Sequence, residues 1–245
     1  MVDRHDSLSD VLGEVDPLGH RRRVPGQDRG DRSSSWRSRM GSGEGCRSVV
    51  SSAPRRFAVL RVAKIKTLGN LRSSAKHTFR QRETPNADPG LKDANEVWIG
   101  PDNAEGVAEA WADRTPEKIR KNAVHALEYL VTASPEALSA MSKDEQDAYF
   151  AKGLDWLCRR HGADNVLSAV IHRDETTPHL TAMVIPLDDR GHLNARSFTG
   201  GKLQLSEMQT DFAAAVSDWG IERGIHRSNG LTWAIPYSPT MASIR

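Results

Sequence analysis

Two imidazoles and two carboxylates fall within one short stretch, His172-Arg173-Asp174-Glu175-Thr176-Thr177-Pro178-His179. Neutral imidazole is a common ligand for divalent cations. Glu175 could ligate the same ion directly or hold a histidine ring by its second nitrogen, and Asp174 could take that supporting role. The candidate ligands are therefore His172, Glu175 and His179. The spacing is not that of the zinc-protease His-Glu-x-x-His helix, where both imidazoles share one helical face. The plainer alternative is a surface hairpin with satisfied polar side chains.

A second reactive candidate lies far upstream. From Phe57 through Arg82 the chain carries seven Lys or Arg and no Asp or Glu. A solvated helix face usually mixes signs, so this bias favours a polyanion. Arg61, Lys64, Lys66, Arg72 and Lys76 form the candidate DNA-contacting strip. His77 sits between Lys76 and Arg80, cations that can hold a phosphate and keep an imidazole neutral. A cation-binding hairpin beside such a strip suggests phosphoryl transfer. Simple hydrolysis needs only water. Keeping the DNA end needs an attacking side chain, and His77 is that candidate. Its phosphoramidate would retain energy for rejoining the strand. A phosphate-binding or core histidine is the bland alternative. Tyr129 is the rival nucleophile, but its apolar setting suits a core position better, and Tyr149 and Tyr237 have weaker claims.

These residues need elements to hold them. Val166–Ile171 and Ala182–Leu187 are apolar runs of strand length. The motif is then the junction of two adjacent strands, with His172 closing one and His179 opening the next. Phe57–Ile65, Asn95–Gly100 and Ala126–Ala133 are further strands. Gly69-Asn70 marks a turn, and a short helix is expected over Ser73–Arg82. Thr115-Pro116-Glu117 carries a helix-start signal, giving a helix to about His125. Ser142-Lys143-Asp144-Glu145 is a capping box opening a helix to about His161-Gly162. A last helix is expected from Ser206-Glu207 to Gly220, with Asn194 and Arg196, two further candidate DNA contacts, in the polar loop before it. The order predicts an α+β fold, with a mainly antiparallel central sheet and helices on one face.

The chain has 245 residues, a formal charge of +2 and 38 % apolar residues. Cys46 and Cys158 have no metal-type spacing, so reduced cytosolic chemistry fits better than a disulfide scaffold. No apolar stretch approaches the roughly 20 residues that span a bilayer, and the N-terminus lacks a secretory apolar core. A cytoplasmic protein without a membrane segment is expected. Residues 1–54 are Ser/Arg-rich, without periodicity, and are expected to be disordered. They read as a DNA-tethering arm or, more plainly, as a non-functional extension. Residues 55–225 form the expected catalytic domain, and 226–245 a divergent tail.

Four patches, taken together, resemble the Mob/Pre (plasmid recombination enzyme, MobV) family of plasmid mobilisation relaxases. They are Lys64–Glu83 with Lys76-His77 and Arg80…Glu83-Thr84, then Arg120-Lys121-Asn122-Ala123-Val124 through Thr132, then His172–His179. The fourth joins Leu193-Asn194-Ala195-Arg196 to Gln209-Thr210-Asp211-Phe212-Ala213. The resemblance implies a relaxase or rolling-circle-initiator-like fold. It implies nicking of one strand at a plasmid transfer origin, through a covalent protein–DNA intermediate, for mobilisation or recombination. It implies His77 as nucleophile with Arg80 and Glu83 around it, and Mn²⁺ or Mg²⁺ at His172, Glu175 and His179. Single-stranded or hairpin origin DNA would be the partner, together with other mobilisation proteins. One position departs: the family continues Pro-His-x-His, whereas this chain has Pro178-His179-Leu180-Thr181. Two alternatives share the scaffold: a weakly active or inactive origin-binding relative, and a metal nuclease that uses water.

Overall fold

The computed structural model describes residues 56–224. The 1–54 extension and the 226–245 tail lie outside the described residues. Within them the strands are β1 (Phe57–Ile65), β2 (Glu96–Ile99), β3 (Ala126–Ala133), β4 (Val166–His172), β5 (His179–Val184) and β6 (Glu222–Arg223). The helices are α1 (Leu68–Thr78), α2 (Ala104–Arg114), α3 (Pro135–Ser139), α4 (Lys143–His161), α5 (Ala195–Thr199) and α6 (Lys202–Ala215).

The strands form one sheet in the order β2-β4-β5-β3-β1-β6. Every pairing is antiparallel except β1 with β6. The α+β class and the mainly antiparallel sheet are as expected. The helices, however, cover both faces. Strand side chains alternate between faces. Leu127, Tyr129 and Val131 of β3 join Phe150, Leu157, Met208 and Phe212 of α4 and α6 in the larger core. Ala126 and Met183 instead join Leu71 and Ala75 of α1 and Val107 and Trp111 of α2 in a smaller one. Both faces of β3 and β5 carry buried residues because helices cover both, and the strand pattern alone could not divide them between helices.

The larger core is tightly closed. A Cβ on Gly153 of α4 would lie 3.0 Å from Val131 Cγ1, so glycine lets the helix approach β3. Tyr129, Tyr149, Phe150 and Phe212 are fully buried, each worth about 1.5–3 kcal/mol in transfer from water. The capping box opens α4 as expected: Ser142 Oγ accepts from the Glu145 N–H, and Glu145 Oε2 accepts from the Ser142 N–H.

Several boundaries differ from the sequence expectation. Thr67, not Ser73, starts the first helix; its hydroxyl accepts from the Asn70 N–H, so Gly69-Asn70 lies in the first turn. No helix runs over Thr115–His125. Thr115 instead closes α2, whose start is capped by Asn103, and its hydroxyl donates to the Trp111 carbonyl at 2.6 Å. The last helix begins at Lys202 and ends at Ala215; left-handed Gly220 (φ 65°) then terminates a short 3-10 turn.

Replacing Ser142 by Ala should lower stability by about 1 kcal/mol, the usual cost of a lost N-cap. A chemical denaturation midpoint that moves down at unchanged slope would verify it.

Candidate active site

The end of α1 is the unusual local structure. The Gln81 N–H donates to the Lys76 carbonyl at 2.8 Å, and the Arg80 N–H to the His77 carbonyl at 3.1 Å. This is a Schellman closure, whose first residue beyond the cap is normally glycine because it must be left-handed. Here it is Arg80, with φ 52°. A non-glycine residue there costs roughly 1–2 kcal/mol. The side chain supplies the compensation.

Arg80 Nε donates to Asp174 Oδ2 at 2.7 Å, and Nη2 to Asp174 Oδ1 at 2.6 Å. Nη2 also donates to Glu175 Oε1 at 2.9 Å, and Nη1 to the His77 carbonyl at 3.0 Å. Only 7 % of the Arg80 side chain and 1 % of that of Asp174 are exposed. Burial alone would raise the Asp174 pKa, but the Arg80 hydrogen bonds outweigh it and hold the carboxyl below its usual range. Paired buried charges of this kind are strongly interdependent. Four of the five guanidinium N–H groups are thereby engaged, so Arg80 joins helix to hairpin and has little left for a phosphate.

The hairpin is held from three further sides. The Arg173 and Asp174 N–H groups donate to Asn95 Oδ1. The Asp88 N–H donates to the Asp174 carbonyl at 2.7 Å. Thr132 Oγ1 of β3 donates to the Pro178 carbonyl at 2.8 Å. Arg173 turns outward to Glu96, Gln146 and Asp147, tying the turn to β2 and α4.

His172 and His179 are register partners across β4 and β5. Their ring centroids are 4.9 Å apart. His179 Nδ1 lies 3.0 Å from the Thr177 carbonyl. A carbonyl only accepts, so Nδ1 carries the proton and Nε2 keeps its lone pair. Burial, with His179 beside it, holds His172 well below its ordinary pKa. Burial also lowers His179, against an opposing Thr177 hydrogen bond. His172 Nδ1 is buried without a hydrogen-bond partner and lies 3.9 Å from Asp174 Oδ1.

Two neutral imidazoles with one free buried nitrogen suit a divalent cation at two ligand positions. The third expected ligand is not in place. Glu175 is turned to Arg80, and Thr181 occupies the next position on the same face of β5. Among the described residues no three His, Cys, Asp or Glu side chains are grouped to hold an ion.

His77 is half-buried at the end of α1. Burial lowers its pKa first, followed by the charges of Arg80 and Arg82; Glu175 opposes them. Its Nδ1 lies 3.4 Å from Thr84 Oγ1. The helix carrying it is pinned to β3 by Ser74, whose hydroxyl donates to buried Glu128, a carboxyl that burial pushes up.

The remaining expected residues are dispersed. Glu83 is an exposed loop residue. Arg61 is exposed on β1 in the cross-strand row Arg61–Leu130–Thr181–Val170, on the His179 face of the sheet. Lys64 points to the other face by alternation. Lys66 and Lys76 are exposed, and Arg72 pairs with Glu105 at 2.9 Å. Asn194 donates to Asp188, the hub of a turn that also accepts from the Arg190 and His192 N–H groups. Arg196 is exposed on α5. Asn95 and Thr132 were not singled out from the sequence; only the tertiary fold brings them to the hairpin. For Thr132 the local signal was a polar residue, like Glu128, in a largely apolar strand.

A family model described as plasmid recombination enzyme (Mob_Pre) matches residues 55–232. The chain is 34 % identical over 177 residues to a 65 kDa protein of Zymomonas mobilis, a match spanning 70 % of this chain and 30 % of that protein. It is 36 % identical over 115 residues to a plasmid recombination enzyme of Bacillus thuringiensis, spanning 46 % and 26 %. With the type 3 plasmid recombination enzyme of Staphylococcus aureus the identity is 27 % over 183 residues, spanning 70 % and 44 %. The chain thus spans less than half the length of these curated relatives. Among solved structures, the Mn-bound MobM relaxase domain in complex with pMV158 oriT DNA superposes with a TM-score of 0.65 at 24 % identity. That match covers 76 % of this chain and 99 % of the other, and it establishes the likeness of fold. No described helix is long and apolar enough to cross a membrane.

Two measurements follow from this geometry. Arg80→Gly removes about 1–2 kcal/mol of left-handed strain but strands buried Asp174, which costs about 3–5 kcal/mol. A net loss of about 2 kcal/mol is expected by chemical denaturation, whereas a gain would mean the ion pair contributes nothing. The depressed histidines set the second. The unfolded imidazole has a pKa of about 6.5, and the folded values of His77, His172 and His179 are lower. Above the unfolded value both states are neutral and the stability contribution is complete; it is lost as pH falls through the folded values. Metal-free protein should therefore lose stability as pH drops below about 6.5, and His172→Gln should flatten that slope.

Proposed function

The chain belongs to the plasmid recombination enzyme (Mob_Pre) family, and on that premise we propose that it nicks one strand of plasmid origin DNA through a covalent histidine–DNA intermediate. One observation carries the reading. Arg80 bonds at once to the His77 carbonyl, to Asp174 and to Glu175, which links the end of the helix bearing His77 to the hairpin bearing His172 and His179.

In this reading His77 is the nucleophile. Its lowered pKa leaves the imidazole neutral near pH 7, with a lone pair available for phosphorus. Arg80 acts as a positioning group, and Asp174 keeps that guanidinium in place. Arg61, exposed on the site face, together with Lys76, Lys66 and Arg82, supplies charge for the DNA backbone, which makes binding strongly salt-dependent. Lys64 and Asn194 have weaker claims from their placement, and exposed Glu83 has no partner among the described residues that would give it a catalytic task. His172 and His179 would hold Mn²⁺ or Mg²⁺, with Thr181 or Glu175 close by; the ion, when bound, would polarise the scissile phosphate. Mn in the similar MobM domain supports that ion class. The cytoplasm, where plasmid DNA resides, is the proposed location. Residues 55–225 are the proposed catalytic unit.

A second reading is favoured by one specific feature. Thr181 offers a neutral hydroxyl where the family motif continues with imidazole, and Glu175 is engaged by Arg80. An origin-binding protein of low cleavage activity would share every other feature of the site.

Labelled single-stranded origin DNA and Mn²⁺ separate the two. The proposed enzyme yields a denaturation-resistant protein–DNA adduct that His77→Ala abolishes while DNA binding persists. Sequence-selective binding with no adduct, across manganese concentrations, would favour the binding protein. Cleavage without any adduct would instead indicate water as the nucleophile.

A further inference from the structure

The nucleophilic reading of His77 leaves open which ring nitrogen attacks. Thr84 bears on that choice. It lies in the loop after α1, half-buried against the helix end. Its Oγ1 is 3.3 Å from the Arg82 carbonyl and 3.4 Å from His77 Nδ1. A threonine hydroxyl has one proton and two lone pairs, and a backbone carbonyl can only accept. When the hydroxyl donates to the Arg82 carbonyl, the oxygen turns a lone pair toward the ring. A ring nitrogen facing that lone pair must be the protonated one.

We propose that Thr84 is the positioning residue that keeps the His77 proton on Nδ1 and so makes Nε2 the nitrogen that attacks phosphorus. The proposal rests on the nucleophilic reading of His77 and deepens it. The same device orients His179, whose Nδ1 proton is held by the Thr177 carbonyl. The two histidines would then both present bare Nε2 atoms, one to phosphorus and one to a cation.

The bond changes are simple. The Nε2 lone pair forms the P–N bond as the bond from phosphorus to the departing strand's oxygen breaks, and that oxygen takes a proton from water. Nδ1 keeps its proton throughout the attack. The positive charge that develops on the ring is spread toward Thr84 Oγ1 by the Nδ1–H hydrogen bond. Loss of that proton to water afterwards leaves the neutral phosphoramidate. With the opposite tautomer the lone pair would sit on Nδ1, against Thr84 and away from substrate.

The test uses the full chain labelled with ¹⁵N-histidine at pH 7.5, and two-bond ¹H–¹⁵N correlations that distinguish the tautomers. Wild type should show His77 with protonated Nδ1 and bare Nε2. Thr84→Val, nearly isosteric, should move it toward the Nε2–H form, and Thr84→Ser should restore the wild-type pattern. Single-turnover nicking at saturating DNA should fall about fivefold in Thr84→Val, the effect of one neutral hydrogen bond, with DNA affinity unchanged and Thr84→Ser near wild type. An Nε2–H pattern in wild type, or an unchanged pattern in Thr84→Val, overturns the assignment. A tautomer that shifts while nicking stays at the wild-type rate overturns the claim that Thr84 serves the attack, whereas loss of the adduct in His77→Ala tests the nucleophile itself. The spectrum and the rate thus fail separately.

Discussion

The buried ion pair between Arg80 and Asp174 is the constraint on which the site depends. Its partners are 94 residues apart in sequence. On one side it closes a helix in a conformation that arginine resists. On the other it fills the turn between the two histidine strands. Neither half is stable alone: the left-handed turn has no intrinsic reason to form at Arg80, and Asp174 has no reason to be buried without a cation. Each makes the other tolerable, so the end of α1 and the hairpin become one rigid piece. A salt-bridged arginine of this kind works by geometry, since most of its hydrogen-bonding capacity is already spent.

The chemistry of the site follows from what that piece excludes. Water reaches His172 and Asp174 poorly, so charge there must be matched. Asp174 is matched by Arg80, and the imidazoles respond by staying neutral. Neutral imidazole is both the form that binds a cation and the form that attacks phosphorus. In the proposed function, burial would therefore prepare both roles through one physical effect. Thr181 breaks the symmetry of the arrangement. It shares the site face with His179 and lies in the row that leads to exposed Arg61. Whatever approaches along that row meets a neutral hydroxyl, a weaker cation ligand than imidazole.

Much of this was legible from local chemistry. Strand β1, strand β3, the β4–β5 hairpin and the capping box of α4 each have a nearby signature, because alternation and capping are settled within a few residues. The pairing of His172 with His179 followed from the strand–turn–strand pattern. The end of α1 did not, because its stop residue is arginine, which carries no stop signal until Asp174 is beside it. Thr115 was ambiguous for a related reason: its hydroxyl can open the next helix or close the last one, and here it donates to the Trp111 carbonyl of α2. Glu175 fitted a metal ligand by type and spacing, yet a buried guanidinium competes for its carboxylate. Asn194 fitted a DNA contact, yet Asp188 was close enough in the chain to claim it for a turn. In each case the residue type was informative, and a partner distant in sequence or a tighter local turn engages the side chain in this structure.

The central claim is that His77 and the hairpin histidines occupy one small volume. Manganese is the direct probe, because a bound paramagnetic ion broadens nearby nuclei and spares distant ones. In ¹⁵N-histidine protein titrated with substoichiometric Mn²⁺, the ring signals of His77, His172 and His179 should disappear together, while those of His125 and His161, which lie elsewhere in the fold, persist. Broadening of His172 and His179 with His77 left sharp would contradict the account.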